Sequence, residues 1–212
     1  NSWNFYSVPK IYRTKEVCLE AIKQKELIDE YYHSCFIEEI PEKLRCDSDI
    51  YMNLLNKQCF TIKYLTEEVL LDLDKSVYLD LVKRNGSVLK YVPDCKKDRE
   101  LCLTAVRSEH EALRYVPKEL IDYEICLESV KACSDNLIYV PKDLISKEIC
   151  LATLKHGKRQ CSYCLLKYIP EEIQDEEICL EAVKVDGSHV LKYVRDDLIN
   201  PEIFCEAKKK WQ

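Results

Sequence analysis

A chain of 212 residues with 47% hydrophobic side chains is long and apolar enough to bury a sizeable core. Only 3 Gly and 7 Pro argue against a sheet-rich protein with many tight turns. A formal net charge of −6 opposes non-specific nucleic-acid binding. No apolar run is long enough to span a membrane, and the N-terminus lacks the apolar core of a signal peptide. A soluble, cytosolic protein is expected.

The chain opens with Trp3, Phe5 and Tyr6, which are expected to cover the open end of a repeat array, as Trp211 does at the other. The repeat itself is plainest from Pro93 onward. There the sequence returns four times to YVPDCKKDRELCLTAV, YVPKELIDYEICLESV, YVPKDLISKEICLATL and YIPEEIQDEEICLEAV, and Pro93, Pro117 and Pro141 lie 24 residues apart. A fixed period of this size signals stacked supersecondary units. Nine residues after Pro9, Pro93, Pro117, Pro141 and Pro170 stand Cys18, Cys102, Cys126, Cys150 and Cys179, and this slot, used as an anchor, marks about eight units: Cys18, Tyr51, Tyr78, Cys102, Cys126, Cys150, Cys179 and Phe204. The array is degenerate over 1–87 and regular over 88–207. It has extra residues near Lys25–Cys35 and a small insertion around 156–164.

Each unit starts a helix with a capping residue: Thr14, Asp98, Asp122, Ser146, Asp175 and Asn200. A glutamate two positions on, as in Glu16, Glu100 and Glu124, complements the helix dipole, and Pro201 takes the favoured first position. Around the anchor only one narrow stripe is polar, so the helix is expected to lie sandwiched between neighbours. Glu128/Lys131 and Glu181/Lys184 are placed to pair along that stripe. Gly86, Gly157 and Gly187 are expected as left-handed helix ends. A second, shorter helix comes next, such as 88–92 or 112–116, and the next proline stops it. The fold expected is all-α: a single superhelical solenoid over 1–212 of two-helix, tetratricopeptide-like repeats.

The phrase L-K-Y-V-P-x-x-L-x-x-x-E-I-C-L-E-A-V-K-x-x-G, seen at 113–131 and 166–187, resembles the short helical repeats of unknown function in Legionella-type secreted effectors. The resemblance covers about 88–207 well and the first three units loosely. A cysteine anchor departs from it, since a larger aliphatic residue is the family's usual choice. The resemblance implies an α-superhelix that serves as an adaptor, an accessory part of an effector, or a regulator of one. A secreted effector would act in the host cytosol. It implies no catalytic residues.

The 13 cysteines are odd in number, and five of them share the anchor slot. Anchors of stacked helices lie farther apart than a disulfide allows, so these cysteines read as small buried hydrophobes in a reducing compartment. Cys161 and Cys164, with His156, have the spacing of half a zinc site, but no second half appears. Lys158 and Arg159 lie in the densest basic run, where a phosphate or acidic partner could dock; a solvated loop is the plainer reading. His33, His110 and His189 look incidental. Lys63, Lys90, Arg114, Lys167 and Lys192 each precede a tyrosine in the second helix. With Lys158 and Arg159 they are the candidate contacts to a partner, while the tyrosines are expected to pack between repeats. No cofactor motif or catalytic motif is present. The function expected is a protein–protein interaction module, either a bacterial effector or a regulator of another effector or host protein. The alternatives are a Cys/His enzyme or zinc protein centred on 156–164, and an RNA-binding helical repeat.

Overall fold

A computed structural model of the protein describes residues 5–24, 36–156 and 165–209. The described residues are predominantly helical, and no β-strand occurs among them. The chain divides into two compact units, Asn1–Lys97 and Asp98–Gln212. None of the described helices is long and apolar enough to cross a membrane.

The second unit shows the repeat at its most regular. Helices α6 (Arg99–Ser108), α7 (Tyr123–Ala132), α8 (Lys147–His156), α9 (Glu176–Asp186) and α10 (Pro201–Lys209) pack each on the next. Among the described residues of this unit the second helix of a repeat is not α-helical but a 3₁₀ helix: His110–Tyr115, Ser134–Tyr139, Leu165–Tyr168 and Gly187–Tyr193. These short helices form their own stacked layer behind the α-helices. A three-residue 3₁₀ turn comes after them at Lys118–Leu120, Lys142–Leu144 and Asp196–Leu198. Pro117 and Pro141 stand just before their turns at φ near −55°, and the preceding Val116 and Val140 are extended, as a following proline requires. Arg195 holds the same place with the same backbone geometry.

The first unit uses the same parts less regularly. It contains α1 (Lys15–Gln24), a helical turn over 36–39, α2 (Glu42–Arg45), α3 (Ser48–Lys57), α4 (Glu67–Asp72) and α5 (Lys75–Arg84). The three-residue turn of the regular repeat is here the six-residue helix α4, capped by Thr66. That difference accounts for the three extra residues between Tyr51 and Tyr78. Helix α1 packs on α3, and Phe5, Cys18, Ile22, Phe36, Ile40, Ile50 and Leu54 share one core. Phe5 is buried in this core, its ring tilted against Phe36 at 4.9 Å. Tyr6 is not buried with it and is 45% exposed. Trp3, Trp211 and the 25–35 segment lie outside the described residues.

All six expected caps are made. The side chains of Thr14, Asp98, Asp122, Ser146, Asp175 and Asn200 each accept the N–H three residues ahead, at 2.8–3.5 Å. In register with this, every anchor donates its own N–H to the carbonyl of its cap residue, as Cys126 does to Asp122 at 3.0 Å. Cys18, Cys102, Cys126, Cys150 and Cys179 are fully buried, as is Tyr78. Phe204 breaks the pattern at 46% exposure. Among the described residues no element packs beyond α10 to cover it, and Lys208 lies over its ring at 4.6 Å.

Two expectations about the helices need correction. Gly86 does not have positive φ; it is buried and opens a 3₁₀ helix, while the extended Asn85 ends α5. The other regular helices stop the same way, at extended Glu109 and Cys133, so no glycine is required there. Only Gly187 among the described residues takes positive φ (71°), at the end of the one helix that runs a residue longer. Gly157 lies outside the described residues. Nor are the helices sandwiched on every side, since Leu127, Leu151 and Leu180, one residue past the anchor, remain half-buried.

Burial fixes the chemistry of the anchor thiols. It pushes Cys126 and Cys179 up to about 11 and Cys150 up to about 12, so these thiols stay protonated and unreactive near neutral pH. Alkylation of the native protein, mapped by mass spectrometry, is expected to modify the exposed Cys46, Cys95 and Cys205. Cys18, Cys102, Cys126, Cys150 and Cys179 should react only after denaturation. An anchor that reacts as fast as Cys205 would mean the slot is open.

Candidate interaction surface

The surface grows from two positions of the repeat. One is the cation–tyrosine pair that closes the 3₁₀ helices ending at Tyr64, Tyr91, Tyr115, Tyr168 and Tyr193. In the first unit Lys63 lies over Tyr64 at 4.9 Å, and Lys90 lies over Tyr91 at 4.7 Å. In the second, Lys167 lies over Tyr168 at 4.6 Å and Lys192 over Tyr193 at 4.8 Å. Arg114 reaches one repeat further, 5.0 Å over the Tyr139 ring, and donates to the Tyr139 hydroxyl. Contacts of this kind hold an exposed cation against an aromatic face. The rings are half-buried at the surface, with Tyr168 36% exposed, and it is Leu113, Leu137 and Leu166 that fill the core. The expected packing role of the tyrosines is therefore partial.

Grooves open between successive corners of the second unit. One of about 600 Å³ is lined by Arg114, Tyr139, Lys118 and Asp143 over Leu113 and Leu144. Another of about 850 Å³ brings Lys142 and Lys167 together with Asp143, Glu171 and Glu172. A third, about 660 Å³, holds Lys167, Lys192 and Arg195 beside Glu171, Asp196 and Asp197. Arg195 is already engaged by Asp197 at 2.6 Å. The cations thus sit among carboxylates and do not form a uniformly positive stripe.

The second position is the helix N-terminus, where ion pairs that sequence reading missed link three pairs of α-helices: α6 to α7, α8 to α9, and, in the first unit, α1 to α3. Arg99 on α6 bridges Asp122 and Glu124 on α7, both at 2.5 Å, and Arg107 joins Glu124 at 2.9 Å. Lys147 on α8 bridges Asp175 and Glu177 on α9 at 2.6 and 2.9 Å, and Lys155 adds 3.0 Å to Glu177. In the first unit Lys15 bridges Asp47 and Asp49 at 2.9 and 2.6 Å. The Arg99 guanidinium holds Glu124 below the usual carboxylate range, and the Lys147 and Lys155 ammonium groups do the same for Glu177. Burial works against the Asp122 carboxylate, but the Ile125 N–H and Arg99 outweigh it. The expected pairs within helices are also present, Glu128–Lys131 at 3.8 Å and Glu181–Lys184 at 2.8 Å.

A buried polar cluster sits between these layers. Asn136 donates to the His110 carbonyl at 2.9 Å and to the Ser129 hydroxyl at 2.8 Å. This gives Ser129, polar in an otherwise apolar slot, a structural reason. Cys161, Cys164, Lys158 and Arg159 lie outside the described residues, as does the side chain of His156. Among the described residues no three His, Cys, Asp or Glu groups gather in a way that could hold a metal ion.

No curated protein and no solved structure matches the chain. The profile of a domain of unknown function, DUF4116, matches two stretches, residues 74–121 and 146–199. Each opens on a helix cap, Asp74 or Ser146, and closes just before the next one. Over these two stretches, each two repeats long, the chain is similar to that domain of unknown function.

Proposed function

We propose that this chain is a protein–protein interaction module, built as a superhelical solenoid of about eight repeats, whose corners grip a partner protein. The observation that carries this reading is the recurrence of an exposed cation held on a tyrosine ring at the edge of successive grooves, at Arg114, Lys167 and Lys192. Aromatic and arginine side chains held in place in this way lose little entropy on binding and are over-represented among the residues that dominate interfaces. The mixed charge of the grooves favours a protein partner over a polyanion. The resemblance to repeats of secreted effectors adds a biological setting: an effector, or a regulator of one, acting in the host cytosol.

The test is capture from bacterial and eukaryotic cytosolic lysates by residues 1–212 and by the Arg114→Glu/Lys167→Glu/Lys192→Glu variant. One stoichiometric protein partner, lost from the variant while its helical spectrum is unchanged, is the expected result. Equal capture by both proteins would remove the corners from the interface. Capture that disappears on ribonuclease treatment would favour RNA binding, and a stoichiometric zinc ion in the purified protein would favour the 156–164 reading.

A further inference from the structure

Among the described residues the junction between α7 and α8 lacks the ionic clasp found at α6–α7 and α8–α9. Glu148 occupies the position of Glu124 and Glu177, yet it accepts a hydrogen bond only from the neutral Tyr123 hydroxyl. Tyr123 stands where α6 and α8 carry Arg99 and Lys147, and the cap it faces is Ser146, not an aspartate. Lys131, equivalent to Arg107 and Lys155, turns back to Glu128 on its own helix. The position after Leu151 is Ala152, where α7 and α9 carry Glu128 and Glu181. Together these changes leave a groove of about 550 Å³ floored by Leu127, Leu151 and Ala152. Lys131, Lys147 and Lys155 rim it, against the single carboxylate of Glu148.

We infer that this groove receives an apolar segment of a partner protein whose hydrophobic side chains are flanked by aspartate or glutamate. The apolar floor supplies the driving force. Three lysines against one glutamate, on a chain that is acidic overall, select the sign of the flanking charge. The carboxylates that now pair with these lysines, Glu128, Asp175 and Glu177, keep 33–46% of their side-chain surface open to solvent, and ion pairs so placed exchange partners at little cost. The repeats themselves hold the floor rigid, and the missing clasp combined with the apolar Leu127, Leu151 and Ala152 gives this junction its identity.

This inference rests on the binding-module reading, and the experiment separates the two. A random-peptide display library is panned on the immobilised full chain. The expected clones carry apolar residues flanked by Asp or Glu. They lose affinity roughly tenfold or more on Ala152→Glu, which restores the charge its neighbours carry, or on Lys131→Glu/Lys155→Glu. Their binding to the Arg114→Glu/Lys167→Glu/Lys192→Glu variant is unchanged. Enriched clones that are basic, or that ignore both groove variants, overturn the groove and leave the binding module standing. A library that yields no clones also overturns the groove, and with no lysate partner either, the binding reading falls as well.

Discussion

Cys150→Asp is expected to destabilise the second unit by about 3–5 kcal/mol, the range for an uncompensated buried charge or acid. Cys150 is fully buried and its thiol is pushed up to about 12 by that burial, so the site already resists a negative charge on a far more polarisable atom. The nearby Asp175 carboxylate adds like charge. The introduced carboxyl has the choice of ionising without a partner or staying protonated among apolar side chains, and both are costly. A fall in the thermal midpoint of roughly 10 °C is expected for a domain of this size. Cys205→Asp, on an exposed position of α10, is the control and should move stability by less than about 0.5 kcal/mol. Equal midpoints for the two variants, measured by circular dichroism, would show that the anchor slot is not the centre of the packing.

The anchors and caps were legible in the sequence because both are local. A cap needs only a short polar side chain at one place, and the six expected caps all form. The 3₁₀ character of the second helix was not legible, since a six-residue stretch such as HEALRY fits either helix and tertiary packing decides. Gly86 misled for a related reason: an extended residue can end a helix as well as a left-handed glycine can. Cation–tyrosine spacing was visible, but not whether Arg114 would choose Tyr115 or Tyr139, which depends on rotamers. The clasps between helices were hidden because their members lie in different repeats and meet only once the stacking register is known. A signal did exist, in that Asp caps at 47, 122 and 175 come after Lys15, Arg99 and Lys147, whereas Ser146 and Asn200 come after Tyr123 and Glu176. The same comparison picks out two junctions, α7–α8 and α9–α10, where a hydrogen bond stands in place of the ion pairs.

Arg13→Ala is expected to cost the first unit about 3 kcal/mol, the scale for removing one partner from a nearly buried charged network. Arg13 is 6% exposed and ties three parts of the chain together. Its Nε donates to the Val8 carbonyl at 2.8 Å, and its Nη1 donates to the Glu39 carbonyl at 2.6 Å and carboxylate at 2.5 Å. Its guanidinium lies 4.7 Å over Phe5, the ring that closes the core. Lysine cannot reproduce that planar fork, so Arg13→Lys should recover only part of the loss. Acid titration isolates the ionic component. The Arg13 hydrogen bond holds Glu39 below the ordinary glutamate range, against burial, with Lys10 contributing further. A depressed carboxylate stabilises the fold above its unfolded pKa of about 4.3, and that stability is lost as pH falls through the lower folded value. The midpoint difference between wild type and Arg13→Ala should therefore narrow on acidification. What remains at low pH is the contribution of the two carbonyl bonds and the Phe5 stack. A difference that stays constant through the carboxylate range would assign the whole effect to those neutral contacts and leave Glu39 as a bystander.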